Sequence, residues 1–345
     1  MKNNIIQRKK DHINLCLNED VAFKQKTNGF ENYDFEHYAI TEVELDRIDL
    51  STSFFSKKIS YPFLISCMTG GTSEAEKLNE MLAIAANQLN IPIGVGSQRQ
   101  ALESKIFHNT YKIVRKNAAN VSVLGNLGAA EIAKSKNVVD DVSKLINLIE
   151  ADAFVIHFNP LQELLQKEGK PDFKGLLKNI ERLTSKIKIP FIAKEVGSGI
   201  SKESAEKLLS AGIVGIDVAG SGGTSWGAVE LLRNNSDDHF FSEWGLPTSY
   251  CIRMVNELKK DYKFMLVSSG GINDFDEIAK SLVMGADLVG SARKILLEVN
   301  SKGVDGVIQL VQDWFQAVKK IMYLTGSKNI KSFQKKKLIR KTELL

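Results

Sequence analysis

The strongest constraint on the fold is a series of eight short apolar runs, each parted from the next by a stretch of different spacing. The runs are Pro62–Cys67, Ile91–Val95, Val121–Leu124, Phe154–His157, Pro190–Lys194, Ile213–Val218, Phe264–Ser268 and Ala286–Val289. They are continuous rather than alternating, the pattern of parallel strands covered on both faces. Between the first two, Leu78, Met81, Leu82 and Ala85 recur at helical spacing within Glu74 to Leu89. Val138–Ile149, Ser201–Ala211 and Phe275–Met284 repeat that pattern. Eight strand–helix units in 345 residues favour an α/β fold, a (β/α)8 TIM barrel, over an open sheet. No Gly-x-Gly-x-x-Gly opens the first helix, which argues against a doubly wound dinucleotide sheet. One domain is expected over residues 1–345. Within it, 1–60 is an extension that caps the barrel bottom or reaches over its mouth, 61–300 the barrel, and 301–345 the C-terminal helices and tail.

Charge excludes little. The 46 basic and 41 acidic residues leave a dispersed +5, too mild for a nucleic-acid partner and compatible with anionic small molecules. Lys335–Lys337 with Arg340 and Lys341 reads as a solvated tail. Cys16, Cys67 and Cys251 form no CxxC pair, so neither a zinc ribbon nor a disulfide framework is expected. Met1 to Asp11 has no apolar leader core, and no run of about 18 apolar residues exists. A cytoplasmic setting without a membrane partner is the expectation.

In a barrel the active site forms at the C-terminal ends of the strands. The unusual polar residues fall there: Ser66-Cys67-Met68-Thr69-Gly70-Gly71, Gly96-Ser97-Gln98-Arg99, Asn126, His157 to Glu163, Lys194-Glu195, Asp217 to Thr224, Ser268 to Gly271 and Gly290 to Arg293. Loops after the seventh and eighth strands are the usual phosphate site of this fold. Gly270-Gly271 and Gly290-Ser291-Ala292 suit it, though tight turns alone would also explain them. Lys194 ends an apolar strand, so it either pairs with Glu195 or faces a bound anion such as a reduced flavin ring. Arg8, Lys9, Lys10 and His12 are a basic start that composition alone leaves disordered. Arg99 on a strand-end loop is placed to fork onto a phosphate. In the loop after the fourth strand, Glu163 suits Mg2+ bridged to substrate phosphates, and His157 and Asn159 are neutral donors for diphosphate oxygens. Gln162 turns an uncharged amide inward. A structural histidine is the plainer account of His157 by itself.

Arg8-Lys9-Lys10-Asp11-His12, Met68-Thr69-Gly70-Gly71, Gly96 to Arg99, His157 to Glu163, Lys194-Glu195-Val196-Gly197 and Ala219 to Thr224 together resemble the type 2 isopentenyl-diphosphate isomerases over nearly the whole chain. The resemblance implies an FMN barrel converting isopentenyl diphosphate to dimethylallyl diphosphate, with reduced flavin, NADPH as reductant and Mg2+. It implies Arg8, Lys9, Ser97, Gln98, Arg99 and Gln162 at the substrate and Glu163 on the metal; with His157 and Asn159 on the diphosphate, Gln162 is the member expected nearest the chemistry. It implies Ser66, Cys67, Met68, Thr69, Ser97, Asn126, Lys194, Thr224, Gly270, Gly271, Asn273, Ser291 and Ala292 around FMN. A homo-oligomer, tetramer or octamer, is the expected assembly. One departure stands out: the family often has an arginine where this chain has Asn273. Two competing readings need other residues. A 2-hydroxy-acid oxidase needs a late His–Arg pair, whereas His239 precedes Phe240-Phe241; a nucleotide dehydrogenase needs a glycine-rich cysteine loop, whereas Cys251 follows Tyr250 in an apparent helix, Ser249–Leu258.

Overall fold

The computed structural model describes residues 2–169, 171–236 and 238–344, with side chains from Gln7 onward. All eight expected strands form: β1 (Phe63–Ile65), β2 (Ile93–Gly94), β3 (Val123–Gly128), β4 (Ala153–Phe158), β5 (Phe191–Glu195), β6 (Gly215–Asp217), β7 (Met265–Ser268) and β8 (Leu288–Ser291). They pair in chain order, and β8 pairs back to β1 to close a parallel barrel. Pro62 and Pro190 lie just outside their strands, where a missing N–H breaks no ladder and the carbonyls still accept from Val289 and Phe154.

The helices Ser73–Leu89, Val138–Ile149, Lys202–Ser210 and Phe275–Val283 follow the sequence periodicity within a residue or two. Thr72 caps the first by accepting from the Ala75 N–H, and Asp274 with Glu277 forms a capping box on the last. The C-terminal helix starts earlier than expected. It runs Arg293–Leu324 and breaks at Gly303, whose φ of 67° no helix tolerates.

Two apolar cores result. One fills the space between the strands and the helical ring. The other fills the barrel itself, where Leu64, Leu124, Val155, Ile192, Val267 and Leu288 meet Phe54 and Ile59. The last two come from an antiparallel hairpin, Thr52–Phe54 with Lys57–Ile59, which plugs the bottom and is pinned by Lys57 on Asp152 at 2.6 Å. The N-terminal extension therefore does both jobs open to it. Its hairpin closes the bottom, and helix α1 (Lys2–Asn18) lies at the mouth. The basic tail is exposed at Lys335, Lys337 and Arg340, yet Leu338–Arg340 is ordered as a strand against Tyr33–Phe35. No helix among the described residues is long and apolar enough to cross a membrane.

Candidate active site

Residues paired across parallel strands share a face. Gly128 pairs with His157, His157 with Lys194, and Lys194 with Asp217, so three polar side chains form one layer at the strand ends. Lys194 Nζ lies 3.0 Å from Asp217 Oδ2 and donates to Ser269 Oγ at 3.0 Å; Ser269 donates to Asp217 Oδ1 at 2.5 Å. Asp217 is 1% exposed, so Lys194 compensates a buried charge. The pairing with Glu195 does not form. Glu195 is one residue further along β5 and turns to the opposite face, where its Oε2 accepts the N–H groups of Val196, Gly197 and Ser198.

The mouth has two cavities. One, about 250 Å³, is bordered by Ser66, Thr224, Ser269, Gly270, Gly271, Asn273, Gly290, Ser291 and Ala292. The other, about 160 Å³, is bordered by Arg8, Lys9, Ser97, Arg99, Asn126, Glu131, His157, Asn159, Gln162 and Glu163. His12, Ile13, Cys67, Met68, Thr69, Lys194, Val196 and Trp226 border both and form the seam. Helix α1 is ordered over the mouth rather than disordered. Arg8, Lys9, His12, Ile13 and Cys16 fall on one helical face and line the cavities. Arg293 fastens its C-terminal end, donating to the carbonyls of Cys16 and Glu19 at 2.8 and 2.9 Å.

The larger cavity fits FMN. Gly270 and Gly271 have φ of 97° and 72°, and a methyl on Gly271 would come within 2.7 Å of the Gly222 backbone. Ser66 Oγ is buried there without a hydrogen-bond partner, an orphan that a cofactor would satisfy. Ser291-Ala292 leads directly into the helix starting at Arg293, whose first N–H groups have no partner within the helix and favour an anion. Asn273, in place of the family's usual arginine, turns its amide onto the Gly271 carbonyl at 3.1 Å.

The smaller cavity carries the charge. Its metal candidate, Glu163, is 7% exposed and accepts from Gln166 Nε2 at 3.3 Å. Among the described residues no group of three or more His, Cys, Asp or Glu side chains could cage a metal. A single carboxylate is nevertheless a donor set Mg2+ uses where phosphate oxygens complete its shell.

Several expected residues have other partners. Gln98 is fully buried, donates to the Leu145 carbonyl and accepts the Asn126 N–H, so its side chain is outside the mouth. Lys9 Nζ donates to Gly70 O, Ser97 O and Tyr111 Oη at 2.6, 3.0 and 3.0 Å, anchoring α1 rather than reaching toward a ligand. Burial, with Arg8 and Arg99 nearby, pushes its ammonium down to about 7. Ser97 and Asn126 border the smaller cavity, not the glycine-lined one.

His157 also departs from expectation. Asn126 Nδ2 donates to Val95 O, so its Oδ1 accepts from His157 Nδ1–H at 2.8 Å. That leaves Nε2 an acceptor, not a donor, in the neutral ring. Burial, with Lys194, Lys9 and Arg8 around it, pushes His157 down to about 4 from an ordinary 6.5. The unfolded chain then binds the extra proton between pH 4 and 6.5, so stability falls as pH falls through that window. The full loss is about 3 kcal/mol. Urea midpoints of ligand-free protein at pH 7 and 4.5 should diverge more for the native chain than for His157→Asn; equal slopes would remove His157 as the cause.

The sequence did not single out what lies behind the seam. Glu230 is fully buried; His12 Nε2 and Gln162 Nε2 both donate to its Oε1, at 2.9 and 3.1 Å, and Arg233 grips Oε2 at 2.5 Å. Asn159 Nδ2 donates to Gln162 Oε1 at 3.0 Å and so orients the amide. Burial works against charge on Glu230, but hydrogen bonds from His12, Gln162 and Arg233 hold it below the usual carboxyl range. Burial likewise keeps His12 below the usual imidazole range, and its ring meets Trp226 edge-on at 5.0 Å. Glu131, also unforeseen, lies 2.7 Å from an Arg99 nitrogen.

A closed parallel barrel with a glycine-lined anion pocket after its seventh and eighth strands defines a flavin-type barrel enzyme. A family model described as FMN-dependent dehydrogenase matches residues 1–133 and 157–340. The fold is shared with the lactate oxidase of Pediococcus acidilactici (TM-score 0.69, 13% identity, 97% of this chain and 94% of that one). It is shared too with a flavocytochrome b2 variant (TM-score 0.70, 16% identity, 99% and 88%). The sequence is similar to isopentenyl-diphosphate delta-isomerases from Pelodictyon phaeoclathratiforme (42% identity, 97% of both chains) and a Nostoc strain (41%, 94% and 92%). The chain belongs to this isomerase family, in its type 2, FMN-dependent form. The oxidase reading is not supported by the site. His239 is exposed on a short helix and borders neither cavity. Cys251 is buried in the helix Thr248–Asn256, and that burial pushes its thiol up to about 12.

Proposed function

We propose that the chain converts isopentenyl diphosphate to dimethylallyl diphosphate, with FMN in the glycine-lined cavity and the diphosphate in the charged one. The observation that carries this reading is the two-part mouth, one half suited to a flavin and the other to a phosphate–metal group. Relatives named isopentenyl-diphosphate delta-isomerase, 39 to 42% identical over nearly the full length, support the substrate. Mg2+ on Glu163, NADPH as reductant and a cytoplasmic homo-oligomer belong to the same proposal by family resemblance.

Moving the double bond requires one proton added to the terminal carbon and one removed from the carbon next but one, with no net redox change. Reduced FMN, when bound, supplies an electron-rich ring able to exchange a proton with an alkene. Lys194 gives that side of the seam a cation, favouring an anionic ring. Arg8 and Arg99 would grip the diphosphate and Glu163 would hold a Mg2+ ion that offsets its charge, so that the alkene would lie at the seam beside His12, Met68 and Trp226. There the Glu230 carboxylate, reached through the N–H groups of Gln162 and His12, is the protein's resting site for a proton.

Glu163→Gln tests the metal reading. Flavin absorbance should persist while the Mg2+ titration of activity shifts at least tenfold upward or activity disappears. An unchanged titration removes Glu163 from the metal.

A further inference from the structure

The charged cavity contains as many carboxylates as guanidinium groups. Arg99 has one nitrogen 2.7 Å from Glu131 Oε1 and its Nε 3.4 Å from Glu103. Arg8 donates to Gln166 at 3.4 Å and stands in the field of both Glu163 and Glu131. Of the other cations that line this cavity, Lys194 is held by Asp217 and Lys9 spends its N–H groups on the carbonyls of Gly70 and Ser97. Glu131 is fixed by its place in the first turn of the helix Ala129–Lys134, directly after β3. Its Oε2 packs over Gly128, where even a methyl group would come within 2.4 Å. The wall formed by Arg8, Arg99, Glu131 and Glu163 is thus electrically balanced before any ligand arrives. A bare diphosphate meets two carboxylates there and must displace one from Arg99. A divalent cation changes this, because it brings the missing positive charge and is itself attracted by the same carboxylates.

We infer that Glu131 is a specificity-determining residue: it neutralises Arg99 so that the mouth accepts the metal–diphosphate complex and discriminates against the metal-free diphosphate. The inference rests on the proposed position of the diphosphate and of Mg2+ at Glu163. A carboxylate used only to brace the β3 loop would leave metal dependence untouched.

The test is equilibrium binding of isopentenyl diphosphate to FMN-loaded, oxidised enzyme by calorimetry, in excess chelator and in saturating Mg2+. The quantity read is the ratio of the two dissociation constants. In Glu131→Gln, nearly isosteric, the ratio should fall about tenfold, mostly through tighter metal-free binding as Arg99 is released. Glu131→Ala, which cannot clash with Gly128, should act the same way if glutamine disturbs the turn; retained flavin absorbance reports folding. Glu103→Gln, on the outer side of Arg99, should leave the ratio unchanged. A large native ratio that Glu131→Gln and Glu131→Ala do not reduce, or that Glu103→Gln reduces equally, overturns the role of Glu131 alone. A native ratio near one overturns the metal placement and this inference with it.

Discussion

Lys194→Met should lose about 3–5 kcal/mol of stability and most of its FMN. The cause lies in the partner. Asp217 is 1% exposed, and its Oδ2 has Lys194 at 3.0 Å, while Ser269 Oγ covers Oδ1. Removing the ammonium leaves a carboxylate buried without a counter-charge, a larger penalty than the net worth of the pair. Methionine fills most of the space, so a cavity is not the reason for the loss. Urea unfolding of ligand-free protein reads the stability, and flavin absorbance after gel filtration reads retention. The double variant Lys194→Met with Asp217→Asn separates the two effects. It should recover most of the stability, because the unpaired charge is gone, but not the flavin, because the cation facing the seam is still missing. Recovery of both would mean that Lys194 serves only Asp217. Full stability in the single variant would contradict the buried ion pair.

The same lysine shows what the sequence could and could not reveal. An ammonium at the end of an apolar strand announces a partner, and Glu195 is its nearest acid in the chain. Adjacent strand residues point to opposite faces, so Glu195 was never within reach. The actual partner is the cross-strand neighbour Asp217, and it emerges only once β5 and β6 are in register. Register also explains the rest of the pattern. The eight strands and the long helices were legible because continuous apolar runs and helical periodicity are local signals. The glycine-lined pocket was legible because strand-end loops in a barrel converge by topology alone. Glu131 and Glu230 were not, and His12 was visible only as part of a basic opening stretch. Each is an ordinary polar residue on a helix, and each gains its role from α1 folding over the mouth or from a helix that follows a strand end. Gln98 failed in the other direction. It sits in the right loop, but it begins the turn into the helix Arg99–Glu103 and its side chain packs inward against Leu145.

Glu230→Gln should reduce kcat by roughly 10²–10⁴-fold with little change in FMN retention, if the proton taken from the substrate comes to rest on this carboxylate. Three donors converge on Glu230, from His12, Gln162 and Arg233, and two of them come from side chains that border the cavity. The arrangement holds an anionic oxygen out of water but one hydrogen bond from the seam. Glutamine keeps the shape and one acceptor oxygen, so His12 and Gln162 can stay in position while Arg233 keeps Glu168 at 3.3 Å. What vanishes is the affinity for a proton. Gln162→Ala makes the complementary cut: it removes one path to the carboxylate and leaves the His12 path intact. Its loss should therefore be smaller, about tenfold, and its KM for the diphosphate should stay within about twofold, since the proposed anchoring of the substrate lies with the arginines and the metal. The pH profile separates a proton carrier from a structural brace. Because Glu230 is held below the usual carboxyl range, kcat of the native enzyme should stay level through mildly acidic pH and fall only when that carboxylate protonates. In Glu230→Gln that acid limb should disappear along with most of the rate. A variant that keeps kcat within twofold, or keeps the acid limb at reduced rate, would show that Glu230 only holds His12 and Gln162 in place and that the proton leaves the substrate by another route.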